Sequence, residues 1–260
     1  MLAVTSIATP HDLPLLASMP QGLSAAVARL PQPGEVQVWE LALDQPPADA
    51  AAWLDAHERA RAQRFVHALH RRRYVAAHAW MRRVLAHHLG CAPQELRFAR
   101  GPYGKPALRD TSALRFNLSH SGEVALLALS TEMEIGIDIE TLRPGLPDAA
   151  LAQGVLTPAE LAELEQLPPD QRNAAFFGGW AAKEACMKAL GLGLAIEPRG
   201  LHVGLDTRRR QVQVLAAPGA AALDLLPLAC GNGHAAALAC TGHITHLTWH
   251  TADILDHRPT

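Results

Sequence analysis

From Glu35 to Leu41 the chain reads Glu-Val-Gln-Val-Trp-Glu-Leu, an alternation of polar and apolar residues that predicts a strand. Residues 48 to 63 and 68 to 89 shift to a helical period, and Leu89-Gly90 closes the second stretch on a glycine cap. Leu114 to Leu118 and Val124 to Ser130 read as a strand pair joined by a turn at Ser119–Gly122. Residues 130 to 134 form a joint, after which period two returns over 135 to 142. Thr157-Pro158-Ala159-Glu160 has the N-cap threonine, the proline at the first helical position and the glutamate of a capping box. A long helix is expected from Asp170 to Leu190, stopped by Gly191, with strands near 200–206, 211–216, 234–240 and 244–250. Residues 1 to 34, rich in Ala, Pro and Ser, read as an N-terminal extension. The remainder divides into two halves, 35–132 and 133–260, each strand, helices, strands. That is an α+β arrangement.

Composition narrows the class. An apolar fraction of 49 % over 260 residues supports a folded core. No run of some eighteen apolar residues occurs, and Leu215 to Thr241 is broken by Pro218, Asp224, Pro227, Asn232 and His234, so no membrane span is expected. The first thirty residues lack a basic leader before an apolar segment, and the four cysteines form no C-x-x-C pair. A cytoplasmic protein is expected. The net charge of −2 conceals a strong asymmetry: residues 59 to 94 hold eight arginines, five histidines and no carboxylate.

The chemistry concentrates in two places. Asp138 and Glu140 alternate with Ile137 and Ile139, so both carboxylates leave one face of a strand, about 7 Å apart. Trp180, Glu184 and Lys188 are spaced i, i+4, i+8 and form one stripe on a helix. Together they supply three hard oxygen ligands, with Lys183 and Lys188 as cations, which suits a magnesium-bound phosphate ester. The chain has twenty arginines and three lysines (Lys105, Lys183 and Lys188), and a compact ammonium suits a phosphate.

The run Phe176-Phe177-Gly178-Gly179-Trp180-Ala181-Ala182-Lys183-Glu184-Ala185-Cys186-Met187-Lys188 resembles the signature helix of the 4′-phosphopantetheinyl transferases. Gly136-Ile137-Asp138-Ile139-Glu140 resembles their metal strand, and Gly104-Lys105-Pro106 and Phe116-Asn117-Leu118-Ser119-His120-Ser121-Gly122 precede it in the family's order. The Trp-then-Lys-Glu-Ala form and the length resemble the Sfp-type branch. This resemblance, over roughly residues 59 to 194, implies a pseudo-dimer of two similar α+β halves with coenzyme A in the cleft between them. It implies transfer of the phosphopantetheine arm of coenzyme A to a serine of an apo acyl or peptidyl carrier protein, releasing adenosine 3′,5′-bisphosphate. Asp138, Glu140 and Glu184 would hold magnesium or manganese, with Glu184 also a base acting through water. Lys183 and Lys188 would neutralise the diphosphate, and Ser119 and His120 would hold phosphate. Lys105 would approach the adenine and 3′-phosphate, and Arg71, Arg72 and Arg73 would grip the 3′-phosphate, with Arg82 and Arg83 completing the stripe.

Two other readings use the same residues. A metal-dependent nuclease would place the 59–94 arginines on a nucleic-acid backbone, but it leaves Ser119-His120 and the tryptophan helix idle. A non-catalytic carrier-binding module leaves Asp138, Glu184 and Lys188 unexplained. The expected partners are therefore coenzyme A and a carrier protein, with no nucleic acid and no membrane. His67, His70, His87, His88 and Cys91 lack a second ligand pair at zinc spacing. Because both halves contribute residues to the cleft, one chain can complete it, and a monomer is expected.

Overall fold

The strand predicted from the first alternation is β1 (Glu35–Ala42), and both of its faces are buried. Val36 and Val38 point to one side, Trp39 and Leu41 to the other, each without exposed surface. Glu35 and Gln37 are buried too and both are matched: the Gln37 side-chain carbonyl oxygen lies 2.9 Å from His88 Nε2, and Glu35 accepts from Arg29 at 2.6 and 3.0 Å. The structure, a computed structural model, describes residues 29–110, 114–145, 148–205, 213–214, 223–231 and 233–252. Most of the expected N-terminal extension lies outside these.

From β1 the chain runs through α1 (Ala50–Trp53), α2 (Ala56–Gln63) and α3 (Ala68–Leu89). A short hairpin follows, β2 (Phe98–Arg100) and β3 (Pro106–Leu108), then β4 (Arg115–Ser121) and β5 (Val124–Ser130). β5 lies antiparallel between β1 and β4. The second half repeats this plan. After β6 (Ile135–Thr141) come α4 (Ala149–Val155), α5 (Pro158–Gln166) and α6 (Pro169–Leu190). The two-residue strands β7 (Leu201–His202) and β8 (Gln213–Val214) pair with each other. Then come β9 (Asp224–Leu228) and β10 (His234–Cys240), with β10 antiparallel between β6 and β9. In each half the last strand inserts between the first strand and the one before it, which gives the α+β pair of similar units.

Three clusters of buried side chains hold the layers. α3 packs on the first sheet through Trp80, Val84 and Leu85 against Trp39, Leu41, Phe116 and Leu127. α6 packs on the second through Ala181, Ala185 and Ala189 against Ala237 and Ala239 of β10, with Leu201 of β7 in the same cluster. The third cluster joins the sheets: Val36, Val38, Leu126 and Ala128 meet Ile135, Ile137, Ile139 and Leu238. Each fully buried aliphatic side chain contributes about 1.5–3 kcal/mol. At their margin β4 and β6 are stitched by side chains in place of a backbone ladder. The Ile137 N–H donates to Asn117 Oδ1 at 2.8 Å, and the Thr141 N–H to Ser121 Oγ at 2.9 Å.

Several expectations are corrected. The helix expected over 48–63 breaks at Leu54, whose backbone is extended, and restarts on a capping box of Asp55 and Glu58. Ser119 and His120 belong to strand β4, and the turn is confined to Gly122 and Glu123. β9 carries Pro227 and was missed as a strand; at a sheet edge the missing N–H removes no ladder bond. The 200–206 strand shortens to 201–202, and of 211–216 only 213–214 lies within the described residues. The last strand, β11 (His246–Thr251), was expected within the second half, but it pairs parallel with β1 and extends the first sheet to β11-β1-β5-β4.

Candidate active site

α6 forms where the sequence predicts it and ends on Gly191, whose φ of 67° is readily adopted by glycine. The helix lies on β6 at Gly136. A Cβ there would come within 2.0 Å of the Ala185 carbonyl and 2.4 Å of the Ala189 nitrogen. Only glycine permits that approach, and the approach brings Lys188 to Asp138. The ammonium donates to Asp138 Oδ1 at 2.5 Å, to Ser119 Oγ at 3.0 Å and to the Ile137 carbonyl at 3.2 Å. Ser119 in turn donates to the same Asp138 oxygen at 2.7 Å. One strand from each half and the signature helix thus meet at one carboxylate. Asp138 is 4 % exposed, and its other oxygen, Oδ2, is buried with no hydrogen-bond partner. An unsatisfied buried carboxylate oxygen is costly and marks a position fitted to something else.

Glu140 and Glu184 flank this point, both partly exposed. Burial, then the charge of Asp138, raises the Glu140 carboxyl above its ordinary range. Burial also raises Glu184, with Asp138 adding to the effect and Lys188 opposing it. Carboxylates that disfavour each other's charge form a site short of positive charge. The donor set suits a hard divalent cation. Among the described residues, however, no three His, Cys, Asp or Glu side chains converge closely enough to hold one, so the expected ligand trio is not preassembled. Lys188 is the cation at Asp138. Beyond Glu140 lies a cavity of about 220 Å³ lined by Arg143, Pro144, Gly145, Leu151, Phe177 and Trp180.

On the other side of Ser119, His120 stands at the end of β4. The surrounding protein pushes its imidazole below the ordinary range, helped by His78, Lys188 and Arg61 and opposed by Asp138. Arg61, on the last turn of α2, and His78 are neighbours of His120 that the sequence pattern does not single out. The Tyr74 ring stacks 4.2 Å from His78, and its buried hydroxyl has no partner. The signal for Arg61 was present: an Asp-x-x-Glu capping box three residues earlier fixes which way α2 starts. Arg71 and Arg72 are exposed on the first turns of α3, whereas Arg73 is held by Asp44 at 2.8 and 2.9 Å.

Three expected cations do not join the site. Lys183 was expected on the diphosphate, but it faces the other side of α6 and is 1 % exposed. Its ammonium pairs with Glu160 at 2.7 Å and donates to the Leu201 and Pro198 carbonyls at 2.6 and 3.0 Å. Glu160 also accepts from the N–H groups of Thr157, Val203 and Gly204. Burial opposes its charge, but these donors and Lys183 outweigh it and leave the carboxyl below its ordinary range. Arg82 is fully buried, bound to Glu58, Asp55 and the Pro93 and Leu96 carbonyls, so it is absent from the basic stripe. Lys105 bridges the halves through Glu134 at 2.8 Å and the Ile135 carbonyl at 3.0 Å.

Asp138, Lys188 and Ser119 thus meet where the two similar halves join. Residues 39–132 match the N-terminal domain of a 4′-phosphopantetheinyl transferase, and residues 134–239 match the 4′-phosphopantetheinyl transferase superfamily. The chain is 39 % identical over 199 residues to the 4′-phosphopantetheinyl transferase HetI of a Nostoc species, covering 74 % of this chain and 83 % of that one. It is 32 % identical over 145 residues to a 4′-phosphopantetheinyl transferase of Bacillus subtilis, covering 56 % and 63 %. It is 46 % identical over 91 residues to 4′-phosphopantetheinyl transferase AcpT of Salmonella typhimurium, covering 35 % and 47 %. The chain belongs to the 4′-phosphopantetheinyl transferase family.

Proposed function

We propose that this chain transfers the phosphopantetheine arm of coenzyme A to a serine of an apo carrier protein, as a member of the Sfp-type branch. The observation that carries the reading is the meeting of Ser119, Asp138 and Lys188 at the seam between the halves. Lys188 and Ser119 bind the diphosphate. His120 and Arg61, with Arg71 and Arg72, bind the 3′-phosphate. Asp138, Glu140 and Glu184 would hold magnesium, which would supply positive charge to the diphosphate.

Glu184 takes the proton of the incoming serine hydroxyl. A carboxylate that would also ligate magnesium is a weak base, so the proton passes through a water. The serine oxygen forms a bond to the phosphorus carrying the pantetheine arm. The bond from that phosphorus to the bridging oxygen breaks, and adenosine 3′,5′-bisphosphate leaves with the electron pair. Lys188 neutralises the charge that grows on the leaving phosphate. The arginines exposed on α3 favour encounter with acidic carrier proteins at low salt. No helix among the described residues is long and apolar enough to cross a membrane.

The test is product release. Adenosine 3′,5′-bisphosphate should form from coenzyme A only when an apo carrier protein is present, and not with a carrier whose acceptor serine is alanine. Release without any carrier would make the protein a hydrolase and overturn the reading.

A further inference from the structure

From the first half, Lys105 reaches the crossing of β6 and α6. It ends a tight turn in which the Gly104 N–H donates to the Gly101 carbonyl and the Gly101 N–H to the Lys105 carbonyl, both at 2.9 Å. Its stem passes Gly191, where a Cβ would stand 3.6 Å from Lys105 Cδ. The ammonium then donates to Glu134 Oε2 at 2.8 Å, to the Ile135 carbonyl at 3.0 Å and to the Ala189 carbonyl at 3.4 Å. All three of its N–H groups are engaged, and the side chain is 18 % exposed. Ile135 opens β6, three residues before Asp138, and Ala189 lies in the last turn of α6, next to Lys188. A carbonyl in that turn has no partner within the helix, and a cation suits that end of the helix dipole. The other oxygen of Glu134 is held by Arg115 of β4 at 2.9 Å.

We infer, resting on the proposed function, that Lys105 is a positioning residue: it clamps β6 to α6 and so sets Lys188 against Asp138, and it does not read the 3′-phosphate of coenzyme A. Gly136 lets the two elements approach, but it has no side chain to fix where they cross. Lys105 supplies that fixing from outside, tying the residue before Gly136 to the residue after Lys188. A slide of α6 along β6 would stretch both bonds and carry the Lys188 ammonium off Asp138 and Ser119. Glu134 anchors the clamp at the joint between the halves, so the first half holds the register of two elements of the second. An ammonium engaged with three acceptors of the seam is poorly placed to serve as a phosphate ligand as well.

The test is steady-state transfer to an apo carrier protein at equal folded concentration, using coenzyme A and dephospho-coenzyme A, which lacks the 3′-phosphate. Lys105→Met should lower kcat about tenfold and change KM for coenzyme A less than about threefold, because it disturbs alignment and removes no ligand contact. Its preference for coenzyme A over dephospho-coenzyme A should match that of wild type. Glu134→Gln should lower kcat about threefold, and the double variant should fall no further than Lys105→Met, since both act through one contact. A KM raised about tenfold in Lys105→Met, or a lost preference for coenzyme A, would make Lys105 a phosphate ligand and overturn the inference. A kcat per folded molecule equal to wild type would reduce the clamp to stability and overturn it too. If Lys105→Met does not fold, Glu134→Gln decides, and an unchanged kcat there overturns the clamp. Wild type that transfers nothing overturns the transfer reading and the clamp with it, whereas an active wild type with any contrary variant result overturns the clamp alone.

Discussion

Lys183 and Lys188 stand on one helix and form two ion pairs of opposite character. Lys183 and Glu160 are 1 % and 0 % exposed, and every polar atom between them is matched: the ammonium by two carbonyls, the carboxylate by three backbone N–H groups. Lys188 and Asp138 are closer, at 2.5 Å against 2.7 Å, yet Asp138 keeps a buried oxygen with no partner. Distance does not separate structure from function here; saturation does. A completed pair ties α5, α6 and the segment before β7 together, whereas an incomplete one retains free energy for a ligand to release.

The largest effect should fall on stability, at the saturated pair. Lys183→Met strands Glu160 as an uncompensated buried charge, at a cost of about 3–5 kcal/mol. Urea denaturation should show it, and adding Glu160→Gln to the same chain, which removes the charge and keeps an acceptor for the Val203 and Gly204 N–H groups, should recover part of the loss. If Lys183→Met unfolds like wild type, the pair is not the tie described here, and the contrast between the two lysines collapses.

The converse holds at the unsaturated pair. Lys188→Met should lower kcat/KM for coenzyme A about 10²–10³-fold. Its melting temperature should fall less than that of Lys183→Met, because Asp138 keeps the Ser119 hydroxyl and lies beside a partly exposed lysine, whereas Glu160 and Lys183 are both buried. A fall in stability comparable to that of Lys183→Met, with activity retained, would reverse the assignment.

Glu184→Gln sharpens the same point. Burial and Asp138 raise the folded-state pKa of Glu184, so its ionised form costs stability above the ordinary carboxylate range, and that cost fades as pH falls through it. The amide carries no such cost. The variant should be inactive yet melt about 1–3 °C higher than wild type near pH 7. The gain should vanish in acid, and a melting temperature lowered equally at every pH would show that Glu184 has no such strain.

The smallest effect concerns His120. The surrounding protein, with His78, Lys188 and Arg61, holds the solvent-exposed imidazole below its ordinary range, so it is largely neutral near pH 7 in the free protein. A phosphate dianion raises it, so coenzyme A binding should take up a fraction of a proton and tighten less than about tenfold from pH 8 to 6. Calorimetry in two buffers of different ionisation enthalpy reads the uptake. His120→Ala should abolish it, and uptake unchanged in that variant would place the proton elsewhere.

The local pattern made much of the site legible. Period two put Asp138 and Glu140 on one face, the i, i+4, i+8 stripe put Glu184 and Lys188 on another, and Gly136 and Gly191 mark where the two elements touch and where the helix stops. What escaped was set by partners far along the chain. Lys183 and Lys188 carry the same charge on the same helix, and only the fold shows that Glu160, readable from sequence as a capping glutamate, lies beneath one of them. Ser119-His120-Ser121-Gly122 has turn composition, but its pairing with Leu126, Ala125 and Val124 carries the strand through Ser121. Likewise β11 joins β1 through register alone, and nothing within residues 246–251 specifies that partner.

The central claim is that this chain moves a phosphopantetheine arm at Asp138. The most direct measurement is the mass of an apo carrier protein after incubation with coenzyme A, magnesium and either wild type or Asp138→Asn, at equal folded concentration. Wild type should add about 340 Da to one serine, the mass of the transferred arm, and Asp138→Asn should leave the carrier at its apo mass. An unmodified carrier with wild type, or full modification by Asp138→Asn at the wild-type rate, would contradict the account.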